Sequence, residues 1–392
     1  MLFQALDNKK ECYAIYCEGE LCHYPGDIDL SRTWSYSPHF KGRDIEYAQI
    51  WAHGADLTAA CPEHLKDEYE HIRSRASAFL TSFKHAKINL DHVCFYDLVP
   101  KKFLLEFCEV KNKITDYVFE HTKKPKNYDF MVDMSALVDK IATQELNLQL
   151  KNLDFINPSA RQGFAKIKNA QTKVKYNLWG TTTGRLSTHS DSFPILTLNR
   201  NLRSVIHPQN DLFVELDYNS AEIRTLLSLM GDPQPEADIH EWARENIFDS
   251  KITRAEAKKK VFAWLYNPNA KNKKLSNFFD KHQMLKKYYI DGCVSTPYNR
   301  TIEVEPDKAL NYLIQSTASD MFLRSVLEVD KLLAGKKTKI AFLVHDSVVL
   351  DVDREDKQLL EEILSVFSDT SLGRFKANLS MGRNFGNLKE IK

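Results

Sequence analysis

Two apolar runs far apart in the chain each lead into an aspartate, and together they restrict the fold more than any other feature. Phe213 to Leu216 reads as a short strand that stops at Asp217. Ser220 to Met230 then carries apolar residues at helical spacing (Ala221, Ile223, Leu226, Leu227, Met230) behind an Asn219 or Ser220 cap. Downstream, Ile340 to Val344 and Ser347 to Leu350 are separated only by His345-Asp346, so a hairpin would carry Asp346 at its tip. If these strands are neighbours, the two carboxylates converge at one end of a sheet.

Converging carboxylates suit magnesium, a hard ion that keeps several waters and needs only one or two protein carboxylates beside substrate phosphates. A pair of such ions serves in-line phosphoryl transfer. Either aspartate alone reads more simply as a helix cap or a solvated turn residue. The order of the segments between them tips the balance.

From Ile252 to Tyr266 the spacing predicts a helix with Arg254, Lys258, Phe262 and Tyr266 four residues apart along one slowly rotating face. Two cations followed by two aromatics match a nucleoside triphosphate, with charge for its phosphates and flat surfaces for its base and sugar. An ordinary amphipathic helix, with Lys258-Lys259-Lys260 in water and Phe262, Trp264 and Leu265 in a core, is the competing reading. Against it, residues 251 to 287 are heavily basic with only Glu256 and Asp280 opposing, in a chain of formal net charge +1. Positive charge concentrated in this way favours a nucleic-acid partner.

Asp217-Tyr218-Asn219-Ser220-Ala221-Glu222-Ile223-Arg224, the Arg254/Lys258/Phe262/Tyr266 series and His345-Asp346-Ser347 resemble motifs A, B and C of family-A DNA polymerases, the bacterial DNA polymerase I type. Thr183-Gly184-Arg185-Leu186-Ser187, Asp238-Ile239-His240, Asn311 with Gln315-Ser316-Thr317-Ala318, and Met381-Gly382-Arg383-Asn384-Phe385 extend the resemblance over about residues 160 to 392. It implies an α+β right-hand fold: antiparallel palm sheet, helical fingers inserted in the palm, and helical thumb. It also implies template-directed addition of deoxynucleotides to a DNA primer with two Mg2+ ions. Asp217 and Asp346 would hold the metals, assisted by the Tyr218 carbonyl. His240, Arg254 and Lys258 would hold the triphosphate, with Lys258 protonating the departing pyrophosphate. Arg185, Asn311 and Gln315 would contact the minor groove near the primer terminus, with His345 beside the primer strand. Minor-groove acceptors recur in every correct base pair, so donors there test pair geometry without reading sequence.

The chain departs from this pattern in places. Ser347 stands where the family usually has Glu, removing a third carboxylate near the metals. Ala263 and Asn267 replace the usual glycines of motif B, and Pro268 should stop the helix soon after Tyr266. Single-subunit RNA polymerases share parts of these motifs and also use His-Asp-Ser, which makes an RNA polymerase the alternative enzyme. A non-catalytic nucleic-acid-binding relative is the other alternative. Glu222 discriminates among them: packed against Tyr266 it would fill the space that a ribose 2′-hydroxyl needs. Phe262 also fits the DNA branch.

The 392 residues allow two or three domains. We expect a small amino-terminal β region at 1–60, a thumb at 61–175, palm at 176–232 and 293–392, and fingers at 233–292. Residues 1–30 read as a strand pair turning at Glu18-Gly19-Glu20. Helical patterns follow at Glu68 to Phe83 and Lys101 to His121. Lys151, Arg161, Lys166, Lys168, Lys173 and Lys175 face only Asp154 and either follow duplex phosphates or form a solvated face. An odd cysteine count of seven without a Cys-x-x-Cys pair favours a reducing compartment, and alternating strand positions account for Cys12, Cys17 and Cys22 with His23 better than zinc does. No leader, membrane span or repeat is evident, so the expected location is intracellular: cytoplasm or nucleoid, or the host cytoplasm for a viral chain. The amino-terminal region lacks the Asp-x-Glu of proofreading modules, since Asp7 precedes Asn8 and Lys9, and we expect a shortened exonuclease remnant without activity. Expected partners are primer-template DNA and dNTPs, together with a processivity factor, a helicase-primase or a separate exonuclease subunit, and no membrane.

Overall fold

A computed structural model describes residues 1–6, 14–23, 28–90, 93–150, 167, 171–267 and 270–391. The chain divides into two compact units, Met1–Ala136 and Leu137–Lys392. Asp7, Cys12, Pro268 and the basic residues Lys151, Arg161, Lys166 and Lys168 lie outside the described residues.

In the first unit β1 (Phe3–Ala5), β2 (Ala14–Cys17) and β3 (Glu20–His23) form an antiparallel sheet in that order. The β2–β3 hairpin turns at Glu18 and Gly19, both at positive φ (49° and 85°), with Cys17 opposite Glu20. Helices α1 (Lys66–His85) and α2 (Lys101–His121) supply most of an apolar cluster around Phe103, Leu104 and Ile114. Both cover the predicted segments, because each buries a stripe of one side chain every three or four residues. Cys17, Cys22, Cys61, Cys108 and Cys293 are free thiols, and Cys94 is disulfide-bonded, one bridge where the cysteine pattern predicts reduced thiols.

The second unit is built on a five-stranded antiparallel sheet in the order β5-β6-β4-β7-β8. Its strands are β4 (Leu212–Tyr218), β5 (Lys339–Val344), β6 (Ser347–Val352), β7 (Ala377–Gly382) and β8 (Lys389–Ile391). β4 lies at its centre although both neighbours come from the last sixth of the chain. The predicted strand ended before Asp217. Here Asp217 remains inside the ladder, opposite Ser347 of β6 and Asn378 of β7. Side chains alternate across β4: Val214, Leu216 and Tyr218 are buried on one face, while Phe213, Glu215 and Asp217 share the other. Tyr218 stacks on Phe367 at 4.3 Å between ring centroids, and Phe213 meets Phe342 edge-on at 5.6 Å.

Helix α3 (Ala221–Met230) follows β4 after a tight reversal at Ser220, which adopts the left-handed conformation at φ 61° and makes no side-chain cap bond. Asn219 does not cap either. Its amide oxygen accepts from the Ile239 N–H at 2.8 Å and from Arg224 at 3.3 Å, and its Nδ2 donates to Asp238 at 3.0 Å. Arg224 is fully buried and donates to the Asn219, Pro235 and Ala237 carbonyls at 2.8 to 3.0 Å. A guanidinium suits this role because its fan of donors satisfies several loop carbonyls at once. The result is a fixed path from β4 into α4 (Ile239–Asn246) and α5 (Arg254–Tyr266). Helix α6 (Ala309–Leu332) packs against α3 and against α7 (Leu360–Ser368), with Leu313, Met321 and Val326 fully buried.

Candidate functional site

A cleft of about 400 Å³ opens over the carboxyl end of β4, lined by Asp217 to Glu222, Arg185, His240, Arg254, Lys258, Phe262, Asp346 and Asn378. Most of the residues singled out from sequence thus share one wall. The β5–β6 hairpin places Asp346 there: Val344 pairs with Ser347, leaving His345 and Asp346 as the two turn residues, with His345 exposed at φ 56°. Burial raises the Asp217 pKa to about 7, and the Asp346 and Glu215 carboxylates add to the rise while Lys258 opposes it. The site therefore carries more negative charge than its own side chains neutralise. Tyr218 turns its ring into the core, and its carbonyl accepts the Ser220 N–H at 2.6 Å.

Helix α5 starts with a capping box between Thr253 and Glu256 and ends at Tyr266. Both readings of its sequence hold, on different faces. Ala257, Val261, Trp264 and Leu265 are buried in the core, whereas Arg254, Lys258 and Phe262 reach the cleft. Phe262 and Tyr266 stack at 5.8 Å, and the Lys258 ammonium sits 5.9 Å from the Phe262 ring. Arg254 is engaged by Asp238 through two bonds of 2.8 and 2.6 Å. Burial works against the Asp238 charge, yet the bonds from Arg254, Asn219 and the Glu241 N–H outweigh it and hold this carboxyl well below the usual range. His240 is only 3% exposed, and its Nδ1 makes no hydrogen bond. Burial lowers its pKa to about 4, so the ring is neutral at pH 7.

Glu222 pairs with Arg185, a guanidinium predicted to reach the minor groove. The Tyr266 hydroxyl is buried without a hydrogen bond of normal geometry. Burial and then the nearby Glu222 carboxylate push this phenol above its ordinary range. Glu222 and Tyr266 are thus neighbours as the sequence predicts, but the carboxylate bonds to Arg185 because an ion pair outcompetes a neutral phenol. Gln315 donates to Asn311 at 2.6 Å, one turn apart on α6, and also lies close to Tyr266.

No family model matches the chain. It is 24% identical over 265 residues to DNA polymerase I of Aquifex aeolicus, covering 56% of this chain and 46% of the relative. It is 23% identical over 303 residues to DNA polymerase I of Caldicellulosiruptor bescii, covering 63% and 36%. The chain is similar to DNA polymerase I. It spans less than half the length of these curated relatives. Among solved structures, the polymerase domain of Mycobacterium smegmatis Pol1 with DNA primer-template and dNTP aligns at TM-score 0.46 and 15% identity, over 82% of this chain and 66% of that one.

Within this DNA polymerase I-like frame, three participants escape a reading of the sequence. Arg224 is a motif residue whose role as the clamp on the β4–α4 path depends on carbonyls up to thirteen positions away. Asp238 reads as the cap of α4, and does accept the His240 and Glu241 N–H groups, but it also binds Arg254 across two helices. Glu215, inside an apolar run, gives no sign that it shares a strand face with Asp217. Only period-two alternation would have found it.

Proposed function

We propose that this chain is a DNA-directed DNA polymerase that extends a primer by transferring deoxynucleotides under the direction of a template, with its second unit arranged as palm and fingers. The observation that carries the reading is the meeting of Asp217 and Asp346 on one wall of a cleft whose opposite side is the Arg254/Lys258/Phe262 stripe of α5.

Two Mg2+ ions fit this site, because burial and mutual repulsion leave the Asp217 carboxylate short of positive charge and oxygen donors converge from Asp217, Asp346 and the Tyr218 carbonyl. When bound, such ions lower the pKa of the attacking 3′-hydroxyl and offset charge on the leaving oxygens. The chain's own groups do the rest. Lys258 and Arg254 receive the triphosphate, Arg254 exchanging part of its bond with Asp238 for phosphate oxygen. Neutral His240 contributes an N–H donor without adding charge. Lys258 is placed to give a proton to pyrophosphate. Phe262 and Tyr266 flank base and sugar, and Glu222 closes the space beside C2′. Asn311, Gln315 and Arg185 face the minor groove once Arg185 leaves Glu222, with His345 beside the primer strand.

The test is single-turnover primer extension with Mg2+, comparing wild type with Asp217→Asn and Asp346→Asn, and deoxynucleotides with ribonucleotides. Loss of at least roughly 10³-fold in rate with primer-template affinity nearly unchanged is expected, since the phosphate-binding charges lie elsewhere. Wild-type rates in either variant would refute the assignment.

A further inference from the structure

Ser347 occupies the position after Asp346 where a carboxylate would complete the metal site, and its surroundings show where that charge has gone. In the β4–β6 ladder Ser347 lies opposite Asp217, and Glu215 lies one pleat further back on the same face. The Ser347 hydroxyl, shared with the Val344 carbonyl, donates to Glu215 Oε1 at 3.0 Å. Among the described residues no cation comes within ion-pair distance of Glu215, and its Oε2 accepts no hydrogen bond. The nearest basic group acting on it, Arg203, lies instead over the Phe385 ring at 4.7 Å. A carboxylate in the middle of an apolar strand, half-buried, held by one hydroxyl and aligned with two others of the same sign, is costly unless a cation joins it.

We propose that Glu215 supplies the third carboxylate of the metal site, transferred from the turn that bears Asp346 to the strand that bears Asp217, and that Ser347 positions it. This rests on the polymerase reading of the same site. A residue two positions from Asp217 projects about 7 Å behind it, so Glu215 acts through metal-bound water and through its charge. Ser347 fixes the direction of Oε1 and leaves Oε2 for that water.

Mn2+ binding to the full chain, followed by the loss of free-ion signal in electron paramagnetic resonance, tests this without turnover. Glu215→Gln keeps the volume and the Ser347 contact and should weaken binding by roughly tenfold or more, as loss of an outer partner does. Glu215→Ser should do the same, and the transposed double variant Glu215→Ser/Ser347→Glu should recover affinity to within about threefold of wild type. Melting in EDTA verifies that each variant is folded. Wild-type affinity in Glu215→Gln, or no recovery in a folded double variant, overturns the proposal. Asp217→Asn separates this from failure of the underlying reading: if it too binds Mn2+ like wild type, the metal site itself is wrong; if it loses the ion while Glu215→Gln keeps it, only the role of Glu215 falls.

Discussion

Glu222 carries two jobs through one carboxylate, since it holds Arg185 and stands against Tyr266. Glu222→Ala should therefore lower the deoxy-to-ribo ratio of kcat/KM by roughly 10- to 200-fold, the range for admitting one small group to a closed pocket. Arg185 is half exposed, so losing the ion pair itself should cost about 1 kcal/mol or less. A ratio unchanged in parallel assays would assign exclusion of the hydroxyl to another residue. His240 makes a second prediction. Its pKa falls from 6.5 to about 4 on folding, so between those values the unfolded chain binds the additional proton and stability falls as the solution is acidified. By pH 5 the loss is of order 2 kcal/mol. His240→Gln should remove this component, visible as a smaller drop in Tm between pH 7 and pH 5 than in wild type; equal drops would mean that the ring does not titrate in this way.

At the scale of elements, Gly231 closes α3 at φ 82° with its N–H on the Leu227 and Ser228 carbonyls, and open space surrounds its Cα. Gly231→Ala meets no clash but must hold an alanine in the left-handed region, so destabilisation of about 1 kcal/mol is expected; an unaltered thermal melt would contradict it. Such elements were legible where periodicity is long or turns are short. The stripes of α1, α2 and α5 and the two-residue gap between β5 and β6 are written in consecutive residues. The order β5-β6-β4-β7-β8 is not, because nothing local says that Leu379 lies beside Leu216. The same limit applied to the site. Asp217 and Asp346 declared themselves by ending apolar runs, whereas the partners of Arg254, Glu222 and Asn219 were settled by distances between elements. Local signals also misassigned the start of α3, where Asn219 and Ser220 have cap-forming side chains but the chain reverses too sharply for either to use them.

For the whole molecule, charge placement sets how nucleic acid is held. Residues 251 to 287 bear eleven Lys or Arg against two acids while the chain as a whole is near neutrality. If about six phosphates are neutralised, primer-template affinity should fall roughly 10³-fold between 50 and 200 mM salt. Fluorescence anisotropy across that range checks this, and a flat response would remove the basic segment from the binding surface. The central position of β4 has a further consequence, in time instead of space. Asp217 leaves the ribosome 129 residues before Asp346, an interval of about 6 to 26 s at ordinary elongation rates. Throughout it β4 has neither sheet neighbour, since β6 and β7 are both still unmade. A nascent or truncated chain thus exposes two bare strand edges around a solitary carboxylate, a species prone to pair with other chains and unable to bring the two aspartates together. Competence arrives only with the final strands, so incomplete synthesis products should be inert in catalysis and vulnerable to aggregation.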